Sequence, residues 1–102
     1  MTFDFNKEHF ECTLSVFDRM RNTFISKNHD YGGSFAKSFE KRGIISALIR
    51  MEDKWNRLEE LAANGSAAKV VDESIIDTLL DLANYSAMTA AALMVDANHK
   101  QG

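Results

Sequence analysis

The chain contains no proline and only one cysteine among its 102 residues. Without proline, no residue forces a break in a helix. The single cysteine, Cys12, excludes an internal disulfide and suits a reducing cytoplasm. No basic excess of the kind that binds nucleic acid polymers is present, since 15 acidic side chains outnumber 12 lysines and arginines. We therefore expect a cytoplasmic protein that binds no nucleic acid polymer.

A long hydrophobic run and an amino-terminal signal are also missing. The uncharged segment Leu82–Val95 is shorter than the ~20 residues that span a bilayer. Residues 1–6 have neither a basic start nor an apolar core. We therefore expect no membrane partner. The 45% apolar and 26% charged residues predict one folded domain over the whole chain, residues 1–102.

Apolar residues recur at steps of three and four, and the alternation typical of strands is absent. The spacing predicts long helices over about 6–26, 44–63 and 72–97 and a short helix over about 35–42, with Asp72 as an amino-terminal cap. Gly32–Gly33, Gly43 and residues 64–67 are the predicted breaks. We therefore expect an all-α bundle of three long helices plus a short one, with antiparallel neighbours.

The apolar stripes also predict burial and assembly. Trp55 lies on the stripe of the second long helix and Cys12 lies beside the stripe of the first, so both are predicted to be buried. The segment Ala87–Val95 is apolar on nearly every side and rich in small residues. One pair of helices in a short chain cannot cover such a segment. We expect a homo-oligomer, a dimer or tetramer, built around it.

Three carboxylates interrupt the otherwise apolar last helix. Glu73, Asp77 and Asp81 follow one another at steps of four, and Asn84 lies on nearly the same face. Burying an unpaired carboxylate costs several kcal/mol. These acids therefore need a cation, which is a metal ion, an arginine or a lysine.

The second long helix supplies cations. Arg50, Lys54 and Arg57 recur on one side of it, beside Glu52 and Asp53. One interpretation is a solvated face with ion pairs inside the helix. A second is an ion-pair network with the last helix, in which Asp77 neutralises Arg50 or Lys54. A third is a site where the arginines bind phosphate oxygens and the carboxylates hold Mg²⁺.

A loop-like segment follows the first helix. In Asp30-Tyr31-Gly32-Gly33 the adjacent glycines permit close backbone approach to a ligand, and Tyr31 and Phe35 offer rings on which a base could stack. The alternative is a helix-ending loop whose aromatic residues fill the core. The segment is not a P-loop, because no Gly-Lys-Ser/Thr follows it.

Three blocks in order, Asp30–Gly32, Arg50–Leu58 and Asp72–Tyr85, resemble the first type of the nucleotide-modification-associated domain family. These are small proteins frequent in bacteriophages, and the resemblance covers about 27–93. That family is similar in turn to the all-α nucleoside-triphosphate pyrophosphatases, the MazG-like and dimeric dUTPase-like enzymes. Those enzymes cleave a (deoxy)nucleoside triphosphate to the monophosphate and pyrophosphate, using Mg²⁺ held by acids on two helices.

The resemblance implies a (deoxy)nucleotide as the partner and, for a phage-encoded protein, the host cytoplasm as the location. It implies Mg²⁺ on Glu52, Glu73 and Asp77, with Asp53 as a further catalytic acid. The implied nucleotide-binding residues are Asp30, Tyr31, Arg50, Lys54, Arg57, Asp81, Asn84 and Tyr85.

The chain departs from the enzymes in its carboxylates. Glu73 and Asp77 are four residues apart rather than the commonest three, and Trp55-Asn56-Arg57 stands where the enzymes place a further acid. With fewer carboxylates and more cations than the enzymes, the chain is expected to bind a metal ion more weakly and phosphate groups more strongly. Three hypotheses follow: a Mg²⁺-dependent pyrophosphohydrolase, a protein that sequesters a nucleotide or cyclic-nucleotide defence signal, and a structural bundle whose charges merely pair.

Overall fold

The computed structural model describes residues 4–28, 31–63 and 68–101, and the side chains of 4–28, 33–63 and 73–99. Over these ranges it contains four α-helices, one π-helical turn and no strand, which confirms the predicted all-α fold. The helices are α1 (Lys7–Ser26), α2 (Ala36–Arg42), α3 (Ile44–Ala63) and α4 (Ala68–Gln101).

Helix α1 begins at a reciprocal cap. The Asn6 side chain accepts a hydrogen bond from the His9 backbone N–H at 3.2 Å, and the His9 Nδ1 accepts one from the Asn6 backbone N–H at 3.4 Å. Such a pair satisfies two backbone donors that have no partner inside the helix. Both bounds of α1 agree with the prediction, but none of its residues is buried.

The glycine pair is not a break. Tyr31–Phe35 forms the π-helical turn and runs directly into α2, whose first flanking residue, Phe35, already has helical dihedrals. The turn comes instead at Gly43, where φ is +66°. There the Gly43 N–H donates to the Phe39 carbonyl at 2.7 Å. Among the glycines that the structure describes, this position alone requires glycine, because other residues avoid a positive φ.

Helices α3 and α4 pack antiparallel, as predicted. Lys54 meets Asp81 and, further along, Met51 meets Ser86, so residue numbers rise on one helix as they fall on the other. The few buried apolar residues of the described chain lie on α3, on α4 and at the end of the π-helical turn that precedes α2: Phe35, Ala47, Leu58 and Leu80.

Helix α3 has the predicted bounds, whereas α4 begins one turn early. Asp72 lies inside α4 and does not cap it, because the helix starts at Ala68. Ala68 and Lys69 are both good helix formers, which favours the extra turn. The predicted stop at residues 64–67 lies outside the described residues.

Two burial predictions were wrong. Trp55 is 56% exposed and Cys12 is exposed. An apolar stripe is buried only where another element covers it, and neither side chain is covered within the single chain.

One described segment is long and apolar enough to cross a membrane by length and composition alone, Glu73–His99 of α4. Core helices of soluble proteins pass the same test, so this is weak support for a membrane span. Two acids within the segment, Asp77 and Asp81, pair with cations of other helices.

Candidate functional site

The predicted polar stripes of α3 and α4 meet at one ion pair. The Lys54 Nζ lies 3.4 Å from the Asp81 Oδ2, and the two side chains are 30% and 29% exposed. This partial burial reduces solvent screening, so the pair contributes more than a fully exposed one. Asp81 therefore faces α3, in the seam between the two helices.

Arg50 lies one turn before Lys54 and is held by hydroxyl groups. Its Nη2 donates to the Ser34 Oγ at 2.8 Å and to the Ser38 Oγ at 3.3 Å. Its Cζ lies 6.0 Å from the centroid of the Tyr85 ring, within cation–π range. Among the described residues no carboxylate lies within 4 Å of Arg50. Its charge is thus oriented by neutral groups and is not neutralised by any of these acids.

A stack of aromatic rings supports this arginine. Phe35 is 7% exposed, and its ring lies 6.2 Å from that of Tyr85 and 5.8 Å from that of Phe39, with small interplanar angles. Of the two interpretations of its segment, the core-filling one holds for Phe35. The buried ring positions Tyr85, which in turn lies under Arg50.

The cation that meets Asp77 is Arg19 of α1, a residue that the sequence analysis did not single out. The Arg19 Nη2 donates to the Asp77 Oδ1 at 3.2 Å, and the two side chains are 58% and 68% exposed. Of the interpretations left open, the one in which Asp77 neutralises Arg50 or Lys54 is therefore wrong. No periodicity could reveal this pair, because 58 positions separate the residues.

Asn84 also forms a hydrogen bond with α1. Its side chain is 4% exposed, and its Nδ2 donates to the Met20 backbone carbonyl at 3.4 Å. A buried amide needs such a partner. Asn84 therefore links α4 to α1, next to Tyr85 of the aromatic stack.

The other predicted acids lie apart from this seam. Glu52, Asp53 and Glu73 are exposed, as is the cationic Arg57. Across the described part of the chain no three histidine, cysteine or acidic residues come together as a metal-binding group. Asp30 and the side chain of Tyr31 lie outside the described residues.

Fold and site together define a small all-α protein with an arginine held over an aromatic stack, one turn from the Lys54–Asp81 ion pair. The family described as nucleotide modification associated domain 1 matches residues 27–93, and the chain belongs to this family. Neither the curated proteins nor the solved structures contain a match to the chain.

The ion pairs Lys54–Asp81 and Arg19–Asp77 should contribute differently to the stability of the protein. We expect Lys54→Met to lower the free energy of unfolding by about 1–3 kcal/mol, because it leaves a half-buried carboxylate without its cation. Arg19→Met is the matched control and should cost less than about 1 kcal/mol, because its pair is solvent-screened. Urea denaturation measures both. Equal losses would show that burial does not distinguish the two pairs.

Proposed function

We propose that this protein binds a nucleotide and that Arg50 contacts its phosphate groups. The main observation in support is the environment of Arg50. Two serine hydroxyls and an aromatic ring lie around its guanidinium group, and no carboxylate among the described residues lies within 4 Å of it. Guanidinium groups bind phosphate oxygens in a planar, two-point geometry. An oriented arginine of this kind forms such contacts without first breaking an ion pair.

Two further observations favour a nucleotide over other anions. The family is linked by its description to nucleotide modification. The Tyr85 ring lies beside the guanidinium and belongs to an aromatic stack, and aromatic side chains bind bases by stacking. Lys54 contributes less to phosphate binding than the sequence suggested, because its ammonium group pairs with Asp81.

A ligand screen tests this proposal. The purified protein is heated with nucleoside mono-, di- and triphosphates, deoxynucleotides, cyclic nucleotides and inorganic pyrophosphate, each with and without Mg²⁺. A ligand at 100 times its dissociation constant adds about 2.7 kcal/mol, and each kcal/mol raises Tm by roughly 4–8 °C in a domain of this size. Stabilisation by a nucleotide is expected. No shift with any nucleotide at millimolar concentration would refute the proposal.

Mg²⁺-dependent hydrolysis of a nucleoside triphosphate to the monophosphate and pyrophosphate is the second candidate. It is favoured by the exposed carboxylates of Glu52, Asp53 and Glu73, which are carried by two helices that pack together. The described residues do not fit a metal site as they are arranged, since Asp77 is hydrogen-bonded to Arg19 and no three acids converge. The binding proposal therefore needs no metal. Release of pyrophosphate from a nucleoside triphosphate incubated with the protein and Mg²⁺ would establish the hydrolase.

Asp77→Asn tests the metal prediction directly. We expect the variant to stay folded, with a change below about 1 kcal/mol, because the Arg19 pair is exposed. It should abolish any Mg²⁺-dependent gain in nucleotide affinity or turnover, since an amide keeps the size of the side chain but removes the charge that holds a hard cation. Asp18→Asn, at an exposed position of α1, is the control. Mg²⁺ dependence that survives in Asp77→Asn would exclude Asp77 as a ligand.

A further inference from the structure

The single chain exposes far more surface than a compact protein of its mass. Its accessible area is 7970 Å², whereas a compact 11.5 kDa protein exposes about 5,800 Å². Its radius of gyration is 16.2 Å, against about 13 Å for a compact domain of this length. The excess of roughly 2,000 Å² is comparable to the area that each subunit of an obligate homodimer buries.

Exposed apolar side chains occur on α1, α3 and α4, and those of α1 form a stripe. Phe10, Leu14 and Phe17 recur along one stripe of that helix and are each about half exposed. No residue of α1 is buried. Helices of this kind are stabilised mainly by packing of the apolar face, and this face is not covered by the described chain.

The stripe continues into an apolar groove of about 760 Å³ between α1, α2 and α4. Phe17 and Phe24 of α1, Phe39 of α2 and the small side chains of Ala87 and Ala91 of α4 line the groove. Small side chains on a helix surface let another helix approach to about 8–10 Å between axes.

We propose that the groove and the neighbouring α1 stripe bind the same surface of a second copy of this chain, forming a two-fold symmetric homodimer. The excess area of each chain matches what such an interface buries. A self-complementary apolar surface also closes the assembly at two subunits. This interface is broader than the predicted segment Ala87–Val95, because it includes α1 and α2.

The dimer also affects the nucleotide site, an inference that depends on the proposed function. Phe35 lines the groove and stacks on Tyr85, which lies under Arg50. A second copy bound in the groove restricts the motion of Phe35, and therefore also the motion of the Tyr85 ring beneath Arg50. Nucleotide binding and dimerisation are then coupled, and such couplings are typically 5- to 150-fold.

Two adjacent alanines of α4 provide a matched test. Ala91 lines the groove, whereas Ala90 does not, and both are exposed in the single chain. A glutamate at either position is therefore tolerated by the isolated fold, but only Ala91→Glu places a carboxylate in the dimer interface. We expect wild-type protein and Ala90→Glu to sediment as dimers at micromolar concentration. Ala91→Glu should raise the dimer dissociation constant at least about 100-fold, because a buried unpaired charge is costly.

Circular dichroism shows whether Ala91→Glu stays folded. If Ala91→Glu unfolds, the thermal unfolding midpoint of the wild-type protein is used to test for the dimer. This midpoint rises with protein concentration only for an assembly. A wild-type monomer, or equal masses for the two variants, would overturn the proposed dimer.

Nucleotide affinity is measured separately and should fall at least about fivefold in Ala91→Glu and stay unchanged in Ala90→Glu. Loss of the dimer without loss of affinity would overturn only the coupling. Absence of nucleotide binding by a dimeric wild type would overturn the proposed function, and with it the coupling, but not the dimer.

Discussion

Replacing Arg50 with alanine is expected to weaken nucleotide binding at least about 100-fold while leaving the protein folded. A hydrogen bond to a charged group contributes about 1.5–3 kcal/mol, and the guanidinium offers two such bonds to phosphate oxygens. Since every 1.4 kcal/mol is roughly a factor of ten in affinity, the loss of both accounts for this effect. Isothermal titration calorimetry with the best ligand of the screen measures it.

Arg42→Ala is the matched control for this substitution. Arg42 is an exposed arginine at the end of α2, so its removal changes the net charge of the protein by the same amount. We expect its nucleotide affinity to stay within about twofold of the wild type, because exposed charges act weakly at a distance in salt. Equal losses in the two variants would indicate a general charge effect, and unchanged binding in Arg50→Ala would place the phosphates elsewhere.

Phe35→Ala is expected to cause the largest loss of stability, about 3–5 kcal/mol, because removing a buried phenyl ring leaves a cavity. Phe35 is one of the few buried apolar residues described and stacks with both Phe39 and Tyr85. Against a typical total of about 5–15 kcal/mol, this loss brings the protein close to unfolding. Urea denaturation at a fixed protein concentration, which keeps any assembly constant, measures the change.

The control for this prediction is Phe5→Ala. Phe5 precedes α1, is 58% exposed and contacts the His9 ring. It should cost less than about 1 kcal/mol, since most of its surface stays in water in both states. A cost for Phe35→Ala as small as that for Phe5→Ala would mean that Phe35 is not part of the core.

Local sequence patterns predicted the positions of the helices well, but they predicted the burial and the partners of the side chains less well. The bounds of α1 and α3 agree with the spacing of apolar residues, and Gly43 makes the break that was predicted there. These features depend on residues within one turn of each other, which a sequence shows directly. Asp72 failed as a cap because the residues before it also form helix. Gly32–Gly33 failed as a break because glycine permits a turn but does not impose one.

The candidate site was predicted in part. The facing of α3 and α4 was expected, and Lys54 meets Asp81 as two complementary stripes require. The particular partners were not predictable, since Asp77 meets Arg19 of α1 and Asn84 meets the Met20 carbonyl. Both contacts join positions about 60 residues apart. They depend on how α1 crosses α4, which no periodicity within either helix specifies.

The sequence by itself determined an all-α chain with an acid-bearing last helix and a cation-bearing helix before it, because periodicity and charge spacing are local properties. Only the tertiary structure decided which charges pair, and that Arg50 is oriented by Ser34, Ser38 and Tyr85. It also decided which apolar stripes are covered, leaving Trp55 and the stripe of α1 exposed. Burial of an apolar stripe and formation of an ion pair between helices depend on how whole helices are arranged in space. In both cases a side chain needs a neighbour that is distant along the chain.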